Sequence, residues 1–120
     1  MAHLIFVAKY RKKLLNQYGE EIKSIFVNIS KNYAFEILES EVDQDHIHIL
    51  IRYPPTKSIL EIVRLLKQIS TYSIWRQNNN SLNLQKYFWK KRVFWSSGYF
   101  ACSIGNVSKE TIEKYIQNQG

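Results

Sequence analysis

Cysteine is almost missing from this sequence: Cys102 is the only one in 120 residues. An intrachain disulfide is therefore excluded, and a reducing cytoplasmic setting is the expectation. Set between Ala101 and Ser103 in an apolar stretch, the thiol reads as a small core residue with no catalytic role. Two prolines and four glycines punctuate the chain sparsely, and there is neither a low-complexity tract nor an internal repeat. No apolar run approaches the length of a membrane span, and the beginning lacks a signal-peptide core, so no membrane association is expected. Acid is also in short supply. Ten Asp and Glu face seventeen Lys and Arg, a net charge of +7, which points to a polyanionic partner, nucleic acid before an anionic membrane. What is present, 45% hydrophobic and 22% charged residues, describes one globular domain over residues 1–120.

Leu4 to Tyr10 reads as a first strand, followed by the basic turn Arg11-Lys12-Lys13. From Leu14 to about Asn32, Leu15, Tyr18, Ile22, Ile25, Phe26 and Ile29 recur at helical spacing. Tyr33 to Val42 alternates as a second strand, and Asp43-Gln44-Asp45 turns it into a third. Pro54-Pro55 ends that strand, and Ser58 is placed to cap a second helix reaching about Gln77. Asn78 to Ser81 is a loop, Tyr99 to Ile104 reads as a fourth core strand, and Ser108 to Gln119 as a last helix. The order strand, helix, strand, strand, helix, strand, helix predicts an α+β fold. It is a ferredoxin-like split βαβ antiparallel sheet with an appended C-terminal helix.

The third strand, Asp45-His46-Ile47-His48-Ile49-Leu50-Ile51, carries the chemistry. Alternate strand residues share a face, so Ile47, Ile49 and Ile51 point one way and His46 and His48 the other. Two imidazoles on a stiff element make half of a metal site. They are as readily a pair of satisfied core histidines. In the last helix Tyr115 and Gln119 stand four residues apart, on one face. Alone that pair means little. With the histidines, an amide oxygen completes a ligand set for a divalent cation, and a phenol beside it is a candidate nucleophile.

Asp45-His46-Ile47-His48 resembles the His-hydrophobic-His (HUH) motif of single-strand DNA nucleases. Tyr115-Ile116-Gln117-Asn118-Gln119 is similar to the catalytic helix of the single-tyrosine HUH transposases (TnpA type) of small bacterial and archaeal insertion sequences. Phe6 to Arg11, Pro54-Pro55, Leu65 to Ser70 and Trp95 to Phe100 fall in the same family order, so the resemblance covers nearly the whole chain. It implies that Tyr115 attacks single-stranded DNA to give a 5′-phosphotyrosine and a free 3′-hydroxyl. It also implies that His46, His48 and Gln119 hold Mg or Mn. Imidazole ligation by itself favours zinc, so Mg or Mn rests on the resemblance alone. A homodimer sharing its two active sites, and hairpin-ended DNA, are further implications. Family members usually continue further past the position of Gln119, whereas this sequence stops at Gly120.

From Lys86 to Trp95 aromatics and cations interleave, as in single-strand binding surfaces where rings stack on bases and cations follow the backbone. Trp89, Lys90, Lys91 and Arg92 are the candidates there, while Phe94 and Trp95 fit a core equally well. Arg11 and Lys12 face solvent in this reading, within reach of phosphate. Arg52, on the histidine face, is either a phosphate contact or one half of an ion pair. Asp45 reads as a turn residue or a support behind the histidines, and His3 as incidental. Two rivals remain. One is a non-catalytic ferredoxin-like module that binds single-stranded nucleic acid. The other is a domesticated HUH endonuclease acting on chromosomal hairpins.

Overall fold

A computed structural model describes residues 1–78, 84 and 92–104. Four strands and two helices follow one another as β1 (Ala2–Val7), α1 (Leu15–Asn32), β2 (Glu36–Val42), β3 (His46–Arg52), α2 (Ile59–Gln77) and β4 (Phe100–Ser103). The sheet has the order β2-β3-β1-β4 and every pairing is antiparallel. This is the predicted α+β arrangement, with β3 inserted between β1 and β2. The last helix expected from Ser108 to Gln119 lies outside the described residues.

Local sequence explains the elements. In α1 the predicted stripe from Leu15 to Ile29 is buried, and in α2 Ile62, Val63, Leu66 and Ile74 are buried. The start of α2 is set by a capping box: the Glu61 amide donates to Ser58 Oγ at 3.1 Å, satisfying an otherwise orphaned donor. Both helices pack on one face of the sheet, against Leu4, Phe6, Ile47, Ile49 and Ile51. The other face has its own smaller apolar cluster, in which Leu50 packs with Met1, Leu38 and Ile104.

Three expectations are corrected. The first strand ends at Val7 rather than Tyr10, because Lys9–Arg11 turns away as a short 3₁₀ element. The predicted core strand near the end is Phe100–Ser103 and is exposed at every residue, since it takes the outermost place in the sheet beside β1. Cys102 is consequently exposed, not a core residue. Phe94 and Trp95 do join the core; Trp95 donates its indole N–H to Ser70 Oγ at 2.9 Å. Among the described residues no helix is long and apolar enough to cross a membrane.

Candidate functional site

The sheet face away from the helices carries the histidines. Cross-strand partners place Ile5 opposite His48, Val7 opposite His46 and His3 opposite Leu50, so all six share that face. His46 and His48 stand with ring centroids 4.8 Å apart and planes near perpendicular. His46, at the mouth of the strand, is half-buried; His48 is 3% exposed. The expectation that the two imidazoles meet on one face holds.

Each ring has one nitrogen engaged. His46 Nδ1 lies 2.8 Å from Asp45 Oδ1, and Asp45 in turn accepts from Arg11 Nε at 3.1 Å. The His46 bond, and then the Arg11 guanidinium, hold the Asp45 carboxyl below its ordinary range. It is therefore an anion at neutral pH and the natural acceptor of a His46 Nδ1–H. That leaves His46 Nε2, which is 3.9 Å from the Asp43 carboxylate. Asp45 is thus the support behind His46 that its position suggested. Arg11 is exposed as predicted, yet its guanidinium is committed to Asp45. The turn that brings it there has both Tyr10 and Arg11 in the left-handed region, at φ 58° and 52°, a costly conformation for non-glycine residues.

His48 has a different neighbour. Its Nδ1 lies 3.2 Å from Nε2 of His3, and the two rings stack with centroids 5.3 Å apart and planes inclined by 20°. His3 is fully buried, which overturns its reading as incidental. The sequence signal was present in the alternation of β1, where Ala2, Leu4, Phe6 and Ala8 face the core and His3 must face the histidine side. Burial, followed by the charge that His48 would carry, pushes His3 down to about 4. Burial, then His46, also lowers His48. Both rings are neutral at pH 7 and keep a lone pair.

The second nitrogen of His48, Nε2, is buried and has no hydrogen-bond partner. A buried polar nitrogen without a partner is costly unless something occupies the space before it, and in the tautomer that leaves Nε2 a lone pair a metal cation can bind there. The donor set therefore fits a metal, in part. Among the described residues no group of three or more His, Cys, Asp or Glu side chains is arranged to hold one, so further ligands must come from elsewhere. Tyr115 and Gln119 lie outside the described residues, as do Trp89, Lys90 and Lys91.

The remaining candidates disperse. Arg52 is at the far end of β3, exposed and paired with Glu36 at 3.6 Å; β2–β3 register sets these two directly opposite. Lys12 is half-buried instead of solvent-facing. Arg92 holds its guanidinium 5.6 Å over the Trp75 ring, on the wall of a groove of about 680 Å³ between α2 and the segment 92–97. Tyr72 and Arg76, themselves a cation–π pair at 5.8 Å, line the same groove. Lys67, missed by sequence reasoning, donates to the carbonyls of Ser96 and Gly98, each at 2.8 Å, and fixes that wall. Nothing in its helical spacing signals this role.

Residues 1–119 match the family described as Transposase IS200 like. The transposase for insertion sequence element IS200 of Salmonella typhimurium is 32% identical over 98% of this chain and 74% of its own. The ISDra2 transposase TnpA of Deinococcus radiodurans is 27% identical over 98% of this chain and 81% of its own. Among solved structures, a putative transposase from Deinococcus radiodurans superposes with a TM-score of 0.75 at 26% identity, covering 98% of this chain and 88% of that one. A REP-associated tyrosine transposase bound to a REP hairpin shares the fold, with a TM-score of 0.65 at 14% identity.

Proposed function

This chain belongs to the IS200-like transposase family, and from that premise we propose that it cuts and rejoins single-stranded DNA at insertion-sequence ends, with Tyr115 as nucleophile. The Tyr115 oxygen forms a bond to phosphorus while the bond from phosphorus to the 3′ oxygen breaks. The phenol loses its proton, the departing oxygen takes one up, and the products are a 5′-phosphotyrosine and a free 3′-hydroxyl. Rejoining is the reverse, with a 3′-hydroxyl attacking the phosphotyrosine.

His46, His48 and Gln119 would hold a divalent cation, Mg or Mn. When bound, it supplies positive charge to the scissile phosphate as negative charge develops there. The observation that carries this reading is the buried, unpartnered Nε2 of His48 beside His46. Asp45 and Arg11 orient His46 by fixing its Nδ1. The groove of Tyr72, Trp75, Arg76 and Arg92 supports single-strand binding, since it offers rings for bases and cations for the backbone. It lies on the helix side of the sheet and so would hold DNA away from the reacting phosphate. The hairpin in the REP-associated structure is the precedent for a hairpin-ended substrate.

We also infer a homodimer joined along β4. The two edge strands differ: β2 carries Glu36, Glu39 and Glu41, charges that discourage pairing, whereas Phe100-Ala101-Cys102-Ser103 has none and is exposed throughout. Incubation with hairpin-bearing single-stranded DNA and Mn tests the central claim. A covalent adduct should appear on a denaturing gel with the native protein and vanish with Tyr115→Phe or His48→Ala. Adduct formed by Tyr115→Phe would sink the nucleophile, and full activity in excess chelator would sink the cation.

A further inference from the structure

Two neutral imidazoles that share an N···N hydrogen bond must divide the roles, one donating and one accepting. At 3.2 Å, His3 Nε2 and His48 Nδ1 are such a pair. If His3 donated, the proton of neutral His48 would sit on Nε2, a buried N–H with nothing to receive it. If His48 donates from Nδ1, the buried N–H falls on His3 Nδ1 instead, and His48 Nε2 is left as a bare lone pair, the form a cation needs. Hydrogen bonding is equal in the two arrangements; what sets the second apart is that it leaves the lone pair on the ring beside His46, 4.8 Å away between centroids, where two imidazoles can share one cation.

We propose that His3 is a positioning residue: it accepts the Nδ1–H of His48 and so holds His48 in the tautomer whose Nε2 lone pair is free for the cation. The inference deepens the proposed function and rests on it for the identity of the ligand. It assigns to His3 the same task that Asp45 performs for His46, whose Nδ1 lies 2.8 Å from the carboxylate. Both ring nitrogens are thus backed through Nδ1, one by an anion and the other by a neutral ring. Support of this kind orients a ligating imidazole and raises its basicity, more so when the acceptor is charged. His46 is accordingly the stronger donor of the two and His48 the more readily disturbed.

The setting of His3 suits the task. It is fully buried, so water does not compete for its Nε2. The Phe100 ring packs edge-on at 6.0 Å, and β1 is paired on both sides, to β3 and to β4. The ring plane is therefore fixed by three strands at once.

The test reads protons directly. In the metal-free protein labelled with nitrogen-15, long-range proton–nitrogen correlation shows which ring nitrogen of His48 is protonated. The expected result is Nδ1–H in the native protein. It should be retained in His3→Gln, whose carboxamide oxygen stands about where Nε2 stood, and shifted towards Nε2–H in His3→Leu. Calorimetric titration with Mn should show affinity about 10- to 100-fold weaker in His3→Leu, the usual cost of losing a ligand's support, and restored in His3→Gln. A native His48 protonated on Nε2 overturns the proposal whatever the variants do, as does an unchanged His48 tautomer in a folded His3→Leu. Because the spectrum is taken without metal, failure of the native protein to bind Mn would count against the cation reading and leave the tautomer assignment to stand or fall by itself.

Discussion

His3, His46 and His48 are chemically identical side chains that the fold makes different. His46 lies against an anion, while His48 lies beneath the sheet's second face against His3. Burial of His3 has a consequence for stability that does not depend on metal. Its folded value of about 4 lies below the ordinary 6.5, so the unfolded chain takes up a proton sooner than the folded one. The stability gained by keeping the ring neutral is complete above about pH 6.5 and is lost as pH falls towards 4. Between about pH 7.5 and about pH 5 the metal-free protein should lose roughly 2 kcal/mol from this residue, with His48 adding in the same direction. Urea unfolding at the two pH values checks it. His3→Gln should lose distinctly less than the native protein, and equal losses would remove His3 as the cause.

At the level of elements, the approach of α1 to the sheet is set by a residue that weakens the helix. Gly19 costs α1 about 1 kcal/mol relative to alanine by propensity alone. A Cβ there would meet the Val42 side chain at 3.1 Å, so the glycine lets α1 lie close over the end of β2, next to the turn that leads into His46. A large side chain has nowhere to go. Gly19→Leu should destabilise the protein by about 1–3 kcal/mol through overpacking, and Val42→Ala in the same chain should recover part of that loss. Denaturant midpoints of the two single variants and the double variant decide it. Strict additivity would mean that the two residues do not compete for space. By contrast α2 is placed by its own sequence, through the Ser58–Glu61 capping box and a buried stripe.

For the whole molecule, the proposed dimer holds two histidine sites in one particle. The exposed, uncharged β4 edge is the surface on which a second copy would pair. If each subunit lends its Tyr115 to the other's histidines, Tyr115→Phe and His48→Ala homodimers are both inactive. A mixed dimer then has one repaired site, and the adduct must sit on the chain that bears the histidine substitution. Mixing the two variants under conditions that allow subunit exchange, then asking which chain carries labelled DNA, should show this recovery. A mixture that stays inactive would mean that each subunit works with its own tyrosine.

Sequence alone determined the features that local periodicity encodes. The helical stripes place α1 and α2 within a residue or so of their observed limits, and the period-two pattern of Asp45 to Ile51 puts His46 and His48 on one face, because these depend only on neighbours along the chain. Strand register and strand order do not. His3 finds His48 across 45 residues only because β1 pairs with β3 in one register, and Arg52 finds Glu36 for the same reason between β3 and β2. Four residues such as Phe100-Ala101-Cys102-Ser103 read alike whether a strand is central or outermost, so their exposure, and that of Cys102, was decided by the sheet's order. These are long-range pairings, and their free energy belongs to no single stretch of sequence.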